Sequence, residues 1–180
     1  LGTLLILIVI LVYIVMATQF ESLKFPFIIM FTIPFAFTGV FLALWMTSTP
    51  LSLIALIGAI MLVGIVTKNG IVMVDYMNLL IERGSGVFDA VIAGGKSRLR
   101  PVLMTSFTTI LGMLPLAIGT GAGSETWQPM GIAVIGGLTF STILTLFIVP
   151  VLYSILVNRS QRKEREKLAR LSAEHQASKH

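Results

Sequence analysis

The stretch "IVTKNGIVMVDY" (residues 65–76) puts Lys68, Asn69 and Asp75 inside an apolar run that extends from Leu51 to Ile81. A membrane-spanning helix needs about 20 apolar residues to cross the hydrocarbon. The surrounding run has that length, so the fold turns on whether three polar side chains at its centre are compatible with a span. Lys68 stands 17 residues into the run, or ~25 Å from its start at the α-helical rise. It does not snorkel easily to either surface. An uncompensated lysine at that depth costs at least ~3 kcal/mol. It is tolerated where it faces a bundle interior, a watery cavity or a carboxylate. Asp75 lies seven residues on and shares its face, but ~10 Å along the axis is too far for a direct bond. The other acids are Glu21, Glu82, Asp89, Glu125 and three in the tail, all outside the apolar segments. Lys68 therefore needs an acid from elsewhere. A lysine neutralised by burial and bonded to carbonyls is the blander reading, as is a merely hydrated Asp75 near a membrane surface.

The rest of the chain agrees with a membrane protein. Of 180 residues, 56% are hydrophobic and 12% charged, with mean hydropathy +0.95. A soluble domain carries about a quarter charged residues. Five apolar stretches have spanning length, at roughly 1–20, 25–47, 51–80, 101–119 and 129–157. The expected fold is all-α: a polytopic membrane bundle of five transmembrane helices over residues 1–157. Pro26, Pro50, Pro101 and Pro129 stand at expected helix starts, where a missing N–H is harmless. Pro34, Pro115 and Pro150 fall inside spans, where kinks are expected. Val87, Phe88, Val91 and Ile92 share one face of a short segment, 86–95, read as a helix lying on the membrane surface. Residues 158–180 form a basic tail, read as a solvated helix that ends in disorder.

Twelve of the thirteen basic residues lie in alternate connections and the tail; the remaining one is Lys68. The excess of Lys and Arg on cytoplasmic sides then puts the tail and 82–100 inside, with 47–52, 119–128 and the N-terminal end on the outer side. The net charge of +5 does not indicate nucleic acid, because seven of the basic residues follow Val157, beside the last span. An apolar start that is not methionine, with no basic segment before it, suggests a piece of a longer protein rather than a signal peptide. Seven glycines in or beside the spans, at 58, 64, 70, 112, 131, 136 and 137, suit close helix packing, as does the Ala133/Gly137 pair. In the fourth span, Thr105 shares a face with Arg98, and Ser106, Thr108 and Thr109 follow closely. Such hydroxyls back-bond to their own helix, bridge helices or pass protons through water.

Taken together, "VGIVTKNGIVMVDY", "RLRPVLMTSFTTILGMLPLAIGTGAGSE" and "GGLTFSTILTLFIVPVLY" resemble the C-terminal membrane region of resistance-nodulation-division efflux pumps. The likeness is closest to the hydrophobe/amphiphile multidrug branch. It covers about residues 1–157, through the last five of twelve spans. The resemblance implies a proton-driven trimeric pump of the bacterial inner membrane, working with a periplasmic adaptor and an outer-membrane channel. It implies a proton relay in which an aspartate pair, in a missing N-terminal half, meets Lys68, assisted by Thr105 and Arg98. Asn69 follows the lysine as in the family, and Asp75 stands where many members have glutamate. The coupling ion is the proton, and no cofactor or metal is expected.

Other functions are weighed against this one. A metal-efflux member of the same superfamily is the nearest rival, because Met73 and Met77 at i and i+4 suit a soft cation, although methionine more often packs. An intramembrane serine protease lacks a base, since both histidines, His175 and His180, are in the tail. An aspartyl protease needs two membrane carboxylates, where Asp75 stands alone. "GTGAGSE" lacks the Gly-Lys-Ser/Thr of a phosphate loop. A structural subunit leaves Lys68 unexplained. The chain is accordingly read as no enzyme.

Overall fold

The structure is a computed structural model and describes residues 2–177. Leu1, at the head of the first expected span, and 178–180, at the end of the tail, lie outside the described residues. The described residues form six helices: α1 (Gly2–Phe20), α2 (Lys24–Met30), α3 (Thr32–Met46), α4 (Leu53–Glu82), α5 (Val87–Ile118) and α6 (Ser124–Ala177). Five segments are long and apolar enough to cross a membrane, with α2 and α3 together making one. The all-α bundle of five spans is therefore as expected.

Helix ends follow local chemistry. Ser52 caps α4 by accepting from the Ala55 N–H at 3.2 Å, satisfying a donor with no intrahelical partner. Gly84, at φ 91°, follows the end of α4, and Gly119, at φ 72°, closes α5. Both are left-handed positions that favour glycine.

Three boundaries differ from the sequence reading. The second span is interrupted at Phe31, between α2 and α3. Pro34 lacks the N–H that would bond to Met30, and the Thr32 hydroxyl takes the Ile29 carbonyl at 2.6 Å. Segment 86–95 and the fourth span are one continuous helix, α5, with Pro101 inside it rather than at a start. The fifth span starts upstream of Pro129, at Ser124, and continues through the basic tail to Ala177. Lys, Arg, Glu, Ala and Leu are good helix formers, so the change of composition after Val157 marks an apolar limit and not a helix end.

The centre of the bundle is α6, which packs against α3, α4 and α5, while α1 sits at the periphery against α2. Only Met16 of α1 is buried. One apolar cluster joins Val40 and Leu44 of α3, Leu62 and Val66 of α4, and Leu138 of α6; a second joins Met16, Ile28, Met73, Met77 and Tyr153. Close crossings depend on glycine. A Cβ at Gly136 would lie 2.1 Å from the Ala43 Cβ, and one at Gly137 would lie 2.1 Å from Leu62 Cδ2. With no hydrophobic drive between helices in lipid, such close van der Waals approach is a main source of association.

Candidate functional site

Contacts between helices set the register. Gly58 lies against Met130 and Gly137 against Leu62, and Tyr153 donates to Asn78 Oδ1, so α4 and α6 run parallel. Gly131 lies against Ala117 and Ser106 bonds Thr142 at 2.9 Å, so α5 runs antiparallel to α6. Gly94 faces Met77, and the Arg98 guanidinium lies over the Tyr76 ring, 4.7 Å from its centre. Carrying the α4–α5 register forward from these contacts brings Lys68 level with Thr105 and Asp75 level with Arg98.

Lys68 is exposed on the side of α4 turned away from α6, with Met61, Gly64 and Asp75 on the same stripe. Nothing lies within 4 Å of a Cβ built at Gly64 or at Gly112, unlike the glycines buried against α6. Thr105 and Thr108 are likewise exposed on α5. Among the described residues, the salt bridge found is Arg162–Glu166 at 3.2 Å. Lys68, Arg98 and Asp75 form none. Lys68 and Asp75 are thus exposed on one stripe of α4, and Thr105 is exposed on α5. Asn69, by contrast, is buried within the bundle at 7% exposure. Arg98 is half-buried beside Tyr76, with its Nε shielded and without a partner.

The hydroxyls divide by role. Thr105, Thr108 and Thr109 donate to the carbonyls of Pro101, Met104 and Thr105 at 2.8–2.9 Å. Ser106 instead bridges to Thr142 of α6 in the interior. Thr67 and Thr145 are buried, and their hydroxyls have no partner. The sequence reading missed Tyr76, Asn78 and Tyr153. An aromatic and an amide within a turn or so of Asp75 were the available signal, but their partners stand 22 and 75 residues away. Met73 and Met77 are 1% and 0% exposed in the second apolar cluster. There they pack, and the described residues hold no group of three or more His, Cys, Asp or Glu that suits a metal.

Residues 1–157 match the model of the family described as the AcrB/AcrD/AcrF family. The chain belongs to that family. It is 43% identical over 155 residues to the multidrug resistance protein MdtC of Erwinia tasmaniensis, covering 86% of this chain and 15% of that protein. It is 41% identical over 154 residues to the cobalt-zinc-cadmium resistance protein CzcA of Cupriavidus metallidurans, covering 86% of this chain and 14% of that protein. The crystal structure of a heavy metal efflux pump superposes with a TM-score of 0.79 at 31% identity, covering 87% of this chain and 16% of that one. The chain thus spans about 15% of the length of the first relative. The resemblance to resistance-nodulation-division pumps holds at the level of the family. Multidrug and metal relatives match it about equally.

One expectation is corrected by these matches, namely that the chain is no enzyme. The relatives are transporters. Membership of their family does not exclude an enzymatic role.

Proposed function

We propose that this chain is the C-terminal part of the membrane region of a proton-driven multidrug efflux transporter, and that Lys68 carries its side of the proton relay. One observation carries this reading: a lysine at mid-span depth on an open helix face, with no carboxylate partner among the described residues. An ionisable group at that depth marks an ion pathway more often than a structural site. The missing partner is an aspartate pair from the remainder of the protein, seated on the stripe of Gly64 and Lys68. When those aspartates are ionised, Lys68 pairs with them; when they take protons, it is released. The change of partner moves α4 against α6 and couples proton entry to export. Thr105, level with Lys68, accepts or passes the proton through water. Arg98 and Asp75 set the charge at the far end of the same hairpin, and Asn69 steadies α4 from the buried side.

The same reading places the protein in a bacterial inner membrane as a trimer, with a periplasmic adaptor and an outer-membrane channel. The N-terminal end is periplasmic, and the tail from 158 is cytoplasmic. A metal cargo is the second reading, favoured by the similarity to CzcA and to the heavy metal pump. The deciding experiment is efflux of a cationic dye, beside survival on zinc, cadmium or copper salts, in cells expressing the complete protein. With matched protein levels, Lys68→Ala should abolish dye efflux. Near-normal dye efflux by this variant would leave Lys68 as structural. Lysine-dependent metal tolerance without dye efflux would transfer the relay to a metal pump.

A further inference from the structure

The end of the apolar part of α6 meets the turn between α1 and α2. Lys24 opens α2, and its Nζ donates to the Ser160 Oγ at 2.8 Å, joining positions 136 residues apart. A cavity of about 580 Å³ opens beside this contact, lined by Lys24, Arg159, Arg162 and Lys163, the carboxylate of Glu166, and Leu156. Glu166 is engaged by Arg162 at 3.2 Å. Lys24, Arg159 and Lys163 form no salt bridge among the described residues, so the cavity carries four cations against one acid.

We infer that this cavity binds the phosphate of an anionic phospholipid. A cluster of cations in the tail alone would serve only to orient the chain. Orientation does not require Lys24, from a different helix, to be held at the same cavity by Ser160. The cavity stands where two apolar segments end, and basic pockets between helices at a membrane surface suit lipid phosphates. Leu156 lines the cavity, and at the same end of the bundle Leu23 and Phe27 are 69% and 59% exposed, which offers acyl chains an apolar surface beside the charges. A soluble phosphate would use the cations but not that surface. The inference does not depend on the cargo or on the relay.

The test is native mass spectrometry of the complete protein in neutral detergent, titrated with phosphatidylglycerol and separately with phosphatidylcholine. Phosphatidylglycerol should bind more tightly. Lys24→Gln and Arg159→Gln should each weaken it about fivefold, the effect of one cation near a lipid surface, and leave phosphatidylcholine unchanged. Lys24→Arg should retain binding. Neutralising Lys167 and Arg170, which lie farther along α6 outside the cavity, should have little effect. Equal binding of the two lipids, no effect of the glutamine variants, or a loss equally large in Lys24→Arg would overturn the inference. Displacement by glycerol phosphate at matched concentration would overturn the lipid assignment in favour of a soluble phosphate.

Discussion

At the scale of single residues, the open face of α4 makes unequal demands. Under the proposed relay, Lys68→Arg should fail nearly as completely as Lys68→Ala, because a planar guanidinium does not replace a compact ammonium. The check is dye efflux at matched protein levels. Membrane insertion of Lys68→Ala should be normal or improved, since a costly charge is gone. Thr105→Ala should weaken efflux only partly. Its hydroxyl already donates to Pro101, and water can replace it as a proton carrier. Breaking the interior Ser106–Thr142 bond is a matter of stability: Ser106→Ala should cost ~1 kcal/mol, read as a lower melting temperature in detergent. Lys68 stands out in the sequence because a charge within an apolar run has few explanations, and the structure adds its exposed position on α4. Tyr76 under Arg98, and Asn78 with Tyr153, do not stand out there. Each pair forms only once the helices are placed, and no local pattern points from one member to the other.

At the scale of elements, the glycines separate into two kinds. Gly136→Ala would drive a methyl to within 2.1 Å of the Ala43 Cβ and 3.0 Å of the Gly39 carbonyl. Overpacking of this kind costs ~1–3 kcal/mol, so thermal unfolding followed by tryptophan fluorescence should show a clear loss. Gly64→Ala meets nothing within 4 Å and should leave the stability of this chain within about 0.5 kcal/mol. The sequence marked all seven glycines alike, because spacing does not say which face meets α6. Number, order and approximate position of the spans were legible from hydropathy, since lipid imposes both length and composition. Helix ends were less so. Prolines read as starts at 101 and 129 sit inside longer helices. A helix crosses the limit of the apolar segment without change of backbone, provided the polar residues beyond it are helix formers.

At the scale of the whole molecule, the sidedness of the bundle rests on its basic residues. Because the chain has no cysteine, single cysteines at Ser48, Ser124 and Ser97 report topology cleanly. In intact cells an impermeant thiol reagent should label the first two and spare Ser97→Cys; the reverse pattern would invert the assignment. Expressed alone, residues 1–180 should not change drug susceptibility, because Lys68 then has no acid to exchange with. The central claim is that proton movement passes through Lys68, and proteoliposomes test it most directly. With the complete protein reconstituted and a proton gradient imposed, the proposed relay predicts cargo-dependent proton uptake that disappears in Lys68→Ala while cargo binding remains. Cargo-dependent proton uptake at the wild-type rate in Lys68→Ala would contradict it.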